Sequence, residues 1–160
     1  MAFLKCLKKE PVPPAPQIPI NTTFTNEYNS YHDTGVTVNK QEVFSTRNVA
    51  SIKVKVDWWI GAYASIDDSR RARNISRCYF YVNGVQYLDT GTINVQSNND
   101  GWVTRSGSTT YTITNLPNGD CTFDYNIYSQ QMWMTNFSYN GGGTGYKTYV
   151  RFTVTEVNYQ

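Results

Sequence analysis

Histidine and cysteine are the side chains best suited to nucleophilic or metal chemistry, and both are scarce in this sequence. His32 is the only histidine among 160 residues, so any Ser–His–Asp or Cys–His site would have to use it. It stands in the polar segment 31–35, which is typical of a turn. The three cysteines, Cys6, Cys78 and Cys121, lack the paired spacing of a zinc site. We therefore predict no catalytic residue, no metal site, no cofactor and no enzymatic activity.

Two acidic or polar segments suggest other chemistry. Asp67 and Asp68 could supply the carboxylates of a glycosidase, but adjacent carboxylates followed by arginines are more typical of a charge-balanced loop. The segment 98–101 offers oxygen ligands and a glycine, yet it lacks the later glutamate of a helical calcium-binding loop. We interpret both segments as surface turns.

A cluster of arginines follows the first of these segments. Four fall within eight residues: Arg70, Arg71, Arg73 and Arg77. Arginine side chains bind carboxylates and phosphates. Three interpretations stay open: a solvated loop, a contact with an acidic neighbour in an assembly, and a patch that binds nucleic-acid phosphates. We prefer the assembly contact, because a second basic stripe is missing, and Arg70, Arg71 and Arg73 are our candidate contacts. The net charge of +2 is too small to indicate a nucleic-acid partner, which we do not expect.

Aromatic side chains are abundant, with 13 Tyr, 7 Phe and 4 Trp. Six of them stand in or near expected loops: Trp59, Tyr63, Trp102, Trp133, Tyr139 and Tyr146. Exposed tryptophan and tyrosine side chains are typical of sugar-binding sites and of protein interfaces. Trp102 and Trp133 are therefore candidate sugar-binding residues. Trp133 also lies in the apolar segment 130–137, which we interpret as a loop that contacts a partner.

The chain that must position these residues begins with a proline-rich segment. Five of the six prolines lie between Pro11 and Pro19, and proline suits neither a helix interior nor a central strand. Such a segment favours extended polyproline II, a semi-rigid arm that would be mobile when free. We predict that residues 1–27 form an arm docked on another protein and that residues 28–160 form the folded domain. The predicted arm contacts are Phe3, Leu4, Leu7, Pro11, Pro13, Pro14, Pro16 and Ile18.

Alternation of apolar and polar residues predicts β-strands throughout the second region. Segments 50–58, 121–127 and 150–154 each place apolar side chains on one face of a strand. Asn83-Gly84 between two apolar runs predicts a two-residue hairpin, because both positions of a type I′ turn need positive φ. Seven to nine short strands without a helix predict an all-β antiparallel sandwich, either immunoglobulin-like or a jelly roll.

The passage 111–123 resembles the corner that joins two strands in immunoglobulin-like and fibronectin-type-III-like sandwiches. It has a leucine, a proline turn and a following strand, but Cys121 stands where those families often have a tyrosine. This resemblance implies an immunoglobulin-like sandwich, in which Cys78 and Cys121 could form an inter-sheet disulfide. Free, buried thiols are the alternative that a reducing cytoplasm favours.

A proline-rich arm followed by a Tyr-, Thr- and Asn-rich sandwich also resembles auxiliary or decoration proteins of tailed-phage capsids. This resemblance implies a non-enzymatic structural protein located in the virion. It would be anchored by its arm to the major capsid protein or another virion protein, as an oligomer or in many copies. A carbohydrate-binding module is the alternative. The sequence has no apolar run long enough to span a membrane and no secretory signal, so we expect no membrane partner.

Overall fold

A computed structural model describes residues 14–30, 35–64, 71–98, 101–133 and 144–160 of the chain. The nine strands are β1 (Thr23–Ser30), β2 (Gly35–Ser45), β3 (Val49–Ala64), β4 (Ala72–Val82), β5 (Val85–Asp89), β6 (Ile93–Ser97), β7 (Gly101–Thr114), β8 (Asp120–Trp133) and β9 (Thr144–Tyr159). Several residues singled out above lie outside the described residues: Phe3, Leu4, Cys6, Leu7, Pro11, Pro13, His32, Asp67, Asp68, Arg70 and Tyr139. Within the described ranges, no helix is long and apolar enough to cross a membrane.

The strands form two antiparallel sheets in the order of a jelly roll. One sheet has the order β1-β9-β3-β7, and the other has β2-β8-β4-β5, with β6 also paired to β4. The first strand therefore pairs with the last, β2 with β8, and β3 with β7, while β4 pairs with β5 and β6. This is the pairing of one long hairpin wound into two sheets, which is the jelly-roll arrangement. The prediction of an all-β antiparallel sandwich is confirmed.

Of the two architectures predicted, the jelly roll fits this strand order and the immunoglobulin-like sandwich does not. An immunoglobulin sandwich places its first two strands side by side in one sheet, whereas β1 and β2 lie in different sheets. Residues 115–119 do carry the chain from one sheet to the other. In place of a corner tyrosine, the hydroxyl of Thr46 donates to the Pro117 carbonyl, and that of Tyr87 donates to the Asn115 carbonyl at 3.0 Å.

The alternation seen in the sequence places one face of each strand in a shared core. Ile52, Val54 and Val56 are fully buried, and Trp58, which continues their row, is half-buried. The centre of the core is aromatic. Phe24 of β1 lies 5.5 Å from Phe80 and 5.8 Å from Phe123 between ring centroids, with both of those strands in the opposite sheet. Ring pairs at such distances stabilise a core beyond the burial of their area.

The predicted hairpin at Asn83-Gly84 is confirmed. Asn83 has φ 48° and Gly84 has φ 76°, the positive values that a type I′ turn requires. Val82 and Val85 face each other across the turn, so β4 and β5 begin their pairing immediately.

A buried polar cluster joins the two sheets. Its members are Asn74 and Ser76 of β4, Ser129 of β8 and Thr148 of β9, all of them buried. The side-chain amide of Asn74 donates to the carbonyls of Gly61 and Lys147 in the opposite sheet, at 3.0 and 3.1 Å. Its Oδ1 accepts from the hydroxyl of Ser129 at 2.9 Å. Asn74 also heads an Asn-Ile-Ser glycosylation pattern, and its burial leaves no room for a glycan in the folded domain.

The end of the proline-rich segment packs on the chain's own domain. The amide of Ser45 donates to the Pro16 carbonyl at 2.7 Å, and the amide of Asn21 donates to the Val154 carbonyl at 2.7 Å. Proline lacks an N–H donor but keeps its carbonyl, which explains how this segment can still bond to a strand. Ile18 is 1% exposed and belongs to the main core. This differs from the prediction that Ile18 contacts a partner, because the domain already covers its side chain. Pro14 and Pro16 are exposed.

The first strand of the domain begins before the predicted boundary between the arm and the folded domain. β1 starts at Thr23 and pairs with β9 from Thr23↔Thr153 to Ser30↔Tyr146. The predicted boundary between residues 27 and 28 therefore falls inside a strand. The packed unit begins by Pro16, and the part of the arm before Pro14 lies outside the described residues.

The two ends of the sandwich differ in what they carry. At one end, called here the arm end, the backbone amide of Ala15 donates to Asp120 Oδ2 at 3.1 Å, next to the end of β2 and the start of β8. The opposite end is called the loop end. It holds the strand ends that flank residues 31–34, 65–71, 98–100 and 134–143. Chain entering from the N-terminal side therefore meets the domain at the end opposite those four connections.

Cys78 and Cys121 are free cysteines in the interior. Both belong to the five-stranded sheet, where Cys78 pairs with Ile127 and Cys121 pairs with Phe44. The inter-sheet disulfide considered above is therefore wrong for this fold, and the free-thiol alternative matches it.

We expect Cys78 to resist alkylation in the native protein. We also expect the protein to become less stable at high pH, because the buried thiol resists ionisation. Burial raises the pKa of the Cys78 thiol from 9.0 to about 12, against a lowering hydrogen bond with Thr90. Because the unfolded thiol ionises first, the free energy of unfolding should fall as the pH rises from about 9 toward 12. Iodoacetamide labelling at mildly alkaline pH, with and without urea, measures the first effect. Full labelling of Cys78 without urea would contradict it.

Candidate binding groove on the outer face

A groove of about 320 Å³ opens on the outer face of the four-stranded sheet. It is lined by Glu27 and Asn29 of β1, Trp59 of β3, and Lys147, Thr148 and Tyr149 of β9. Trp59 pairs with Tyr149, and Tyr149 pairs with Glu27, so these three side chains form one row across three strands. Asn29 and Lys147 form the next row. Since Thr148 turns its side chain into the buried polar cluster, its backbone forms the floor between the rows.

A second aromatic surface lies beside the groove. Trp102 packs against Tyr63 with ring centroids 5.4 Å apart and ring planes tilted by 42°, and 43% of Trp102 is exposed. Its ring lies flat over two glycines: a Cβ atom on Gly61 or Gly145 would come within 3.3 Å of it. The ammonium of Lys147 sits 5.3 Å from the centre of the same ring, a cation–π distance. Lys147 thus links the groove to the Trp102 surface.

Gly61 shapes both features. A Cβ atom at this position would lie 2.8 Å from the tip of the Trp59 ring. The absence of a side chain therefore lets Trp59 and Trp102 converge over the same stretch of backbone. Both indoles keep a face or an edge toward solvent, because Trp59 is half-buried and Trp102 is exposed.

Below the groove, the same face carries a group of paired charges. Asp57 accepts hydrogen bonds from Ser108 at 2.7 Å and from Arg151 at 3.1 Å, and Lys55 lies 3.0 Å away. Partial burial works to raise the pKa of Asp57, but these hydrogen bonds hold it below its usual value. Asp57 is thus paired with two cations, Lys55 and Arg151, and the group carries one net positive charge. Glu27 and Lys147 are the charged side chains among the residues that line the groove.

The outer face of the other sheet is rich in tyrosine. Tyr79 and Tyr81 have ring centroids 6.0 Å apart, and the Arg77 guanidinium lies 5.4 Å from the Tyr79 ring. Arg77 also forms a two-pronged ion pair with Asp89, which lowers the pKa of that carboxyl. Tyr128, 37% exposed, pairs with Arg77 across the strands. Arg77 is therefore committed to structure within its own sheet.

The predicted loop contacts lie at the loop end. Arg71 is exposed, and Arg73 is half-buried with its Nε donating to Asn94 Oδ1 at 3.0 Å. Trp133 is the last residue of β8 and pairs with Ala72, and Trp102 is the second residue of β7. These residues are far from Pro14 and Pro16 at the arm end.

Other aromatic residues are placed differently from the prediction. Tyr146 is 1% exposed, and Trp59 and Tyr63 lie within β3. Trp59 and Tyr149, the two aromatic walls of the groove, were not predicted as site residues. A signal for Trp59 exists in the sequence, because a strand that turns Trp58 inward must turn Trp59 outward.

The groove offers aromatic surfaces on which a ligand can stack and polar groups that can form hydrogen bonds with it. Among the described residues, no three His, Cys, Asp or Glu side chains lie close enough together to hold a metal ion.

Comparison with known proteins gives no family for this chain. No protein-family model and no curated protein matches it. Among solved structures, that of the infectious bursal disease virus Gt strain has 11% sequence identity and a TM-score of 0.39, and the match covers 90% of this chain and 43% of that one. The VP2 subviral particle of the same virus has 14% identity and a TM-score of 0.30, with 86% of this chain and 38% of that one covered. Dimeric latent PorU from Porphyromonas gingivalis has 12% identity and a TM-score of 0.32, with 87% of this chain and 14% of that one covered.

This chain spans less than half of the length of each of these three proteins. At such identities and TM-scores, the likenesses carry no conclusion about function.

Proposed function

We propose that this protein is a non-enzymatic structural component of a virus particle, held there by the residues that precede Pro14. The observation that carries the proposal is the separation of the two ends of the sandwich. Chain from the N-terminal side joins the domain at the arm end, beside Ser45 and Asp120, while four strand connections lie at the loop end. A tether at one end would leave the other end facing away from the particle.

The fold is compatible with this role. Jelly rolls occur in viral capsid domains, in lectins and in cupins, so the fold alone does not choose among them. In its finer form, the proposal is an auxiliary or decoration protein of a tailed-phage capsid. It would be present in many copies, with its N-terminal segment against the major capsid protein or another virion protein.

The segment before Pro14 has the composition of a docking peptide. Phe3, Leu4 and Leu7 stand among three lysines, and prolines follow them. Prolines limit the conformations of the free segment and so reduce the entropy lost on docking. The proposal places the partner contacts at these residues together with Pro11, Pro13, Pro14 and Pro16, and no longer includes Ile18.

Removing residues 1–13 should abolish attachment without unfolding the domain. The purified full chain, or this deletion variant, is added to particles of the virus that encodes the protein. The protein that sediments with the particles is then measured. We expect at least about tenfold less bound variant, because the deletion removes Phe3, Leu4 and Leu7 together with two of the four prolines of the proposed contact. The triple variant Phe3→Ala, Leu4→Ala, Leu7→Ala should behave likewise.

The matched control is Trp59→Ala, which alters the groove and leaves the N-terminal segment intact. It should bind particles as well as the unaltered chain. Equal binding by the deletion variant, or no binding by the full chain, would contradict the proposal.

A further inference from the structure

We infer that the groove on the four-stranded sheet is a binding site for a neutral oligosaccharide. This inference goes beyond the particle role and does not depend on it. Lectins and virion proteins alike can carry such a site on a jelly roll.

The walls of the groove suit a sugar ring. Trp59 and Tyr149 are cross-strand neighbours on the outer face, so their rings stand side by side at the groove. Sugar rings have apolar C–H faces that stack on aromatic rings, and rigid aromatic side chains lose little entropy when they bind. The volume of about 320 Å³ lies at the lower end for small-molecule sites, which fits one or two sugar units.

The remaining lining suits hydroxyl groups. The Glu27 carboxylate accepts hydrogen bonds, the Lys147 ammonium donates them, and the Asn29 amide does both. The groove therefore combines stacking surfaces with hydrogen-bonding groups of both kinds within two adjacent rows.

The charges favour a neutral ligand. Glu27 and Lys147 contribute one negative and one positive charge, so the groove has no net charge to attract an anion or a cation. A nucleic acid would require a basic stripe, and a stable protein partner would cover roughly 800 Å². Six residues line the groove, whereas such an interface takes roughly 20–30 residues a side.

The Trp102 surface extends the site along one direction. Lys147 touches both the groove and the Trp102 ring, and Gly61 lies beneath both indoles. A longer oligosaccharide bound at Trp59 would reach Trp102 with its next units. The groove is thus the main contact and Trp102 the secondary one.

The test measures tryptophan fluorescence during titration of the full chain with soluble neutral hexasaccharides of glucose, galactose, mannose and N-acetylglucosamine. We expect at least one to bind with a dissociation constant of about 1 mM or tighter. Trp59→Ala should weaken that binding about tenfold or more. Trp102→Ala should weaken the binding of the hexasaccharide by a smaller factor than Trp59→Ala does. It should leave the binding of the corresponding disaccharide unchanged.

Two further variants keep the test meaningful if Trp59→Ala folds poorly. Gly61→Ala retains every lining side chain but pushes the Trp59 ring aside, so it should weaken binding as well. Glu27→Ala removes a hydrogen-bond acceptor from an exposed position. The matched control is Tyr128→Ala, an exposed aromatic residue on the opposite sheet, which should bind normally.

Two results would overturn the inference: no binding by any of these neutral probes, or binding that Trp59→Ala, Gly61→Ala and Glu27→Ala all leave unchanged. Particle attachment through residues 1–13 is measured separately, so its failure is distinguishable from the failure of this site.

Discussion

Phe24→Ala should destabilise the domain by about 3–5 kcal/mol, the range for removing a buried phenylalanine. Phe24 is fully buried and its ring contacts Phe44, Phe80, Phe123 and Tyr125. Domains of this size are stable by only about 5–15 kcal/mol, so the variant should lose a large part of its stability. Urea unfolding followed by circular dichroism measures the change.

Deletions make the same point at larger scale. Removing residues 1–27 takes away most of β1, Phe24, and Asn26, whose amide donates to the Val38 and Tyr125 carbonyls in the other sheet. That deletion should leave no cooperative unfolding transition, whereas removing residues 1–13 should leave the midpoint nearly unchanged. Tyr159→Ala, at a 58% exposed aromatic residue, is the point control and should change stability by less than about 0.5 kcal/mol. A stable, cooperative domain after the longer deletion would show that β1 is dispensable.

Asn74→Ala should cost about 3 kcal/mol, because several buried polar groups lose their partner at once. The amide of Asn74 serves the Gly61 and Lys147 carbonyls, and its Oδ1 accepts from the hydroxyls of Ser76 and Ser129. Ser76 and Ser129 are both 0% exposed, so bulk water does not reach the hydroxyls that lose this acceptor. The free energy of unfolding in urea is again the measurement.

Asn74→Asp provides a sharper version with a pH signature. A carboxylate cannot donate to the two carbonyls, and burial favours its protonated form, so the pKa of the new carboxyl should rise above its unfolded value. A raised folded pKa adds stability below the unfolded pKa and loses it as pH rises through the folded one. The variant should therefore gain stability relative to the parent as the pH is lowered. The control is Asn39→Ala, at an exposed site in β2. If Asn74→Ala were as stable as this control variant, the role of the buried polar cluster would be contradicted.

Strand positions could be predicted from the sequence, since one face of each strand had to be apolar. The rows ending at Val56, Ile127 and Val154 are buried as the alternation requires. The Asn83-Gly84 turn was equally predictable, because its backbone geometry depends on those two residues alone. Strand order was not, since many antiparallel pairings satisfy the same alternation.

The N-terminal region shows where a strong local signal misleads. Prolines around Ile18 indicate an extended segment, but they do not exclude packing on the domain, because proline carbonyls still accept hydrogen bonds. Phe24 between two threonines was a strand signal of ordinary strength that the neighbouring prolines obscured.

The groove depends on register more than on composition. Trp59 and Tyr149 are ninety residues apart, and only the pairing of β3 with β9 brings them together. The role of Gly61 is visible only once the two indoles lie above it.

The pairing of β1 with β9 also sets when this domain can form in a cell. Thr23 must wait for Thr153, which a ribosome adds 130 residues later. At about 5–20 residues per second, that delay is roughly 7–26 s, during which β1 and β3 lack β9, the strand that pairs with both of them. Nascent chains would thus spend their synthesis with an open hydrophobic edge, and slowing translation near the C-terminus should increase their dependence on chaperones.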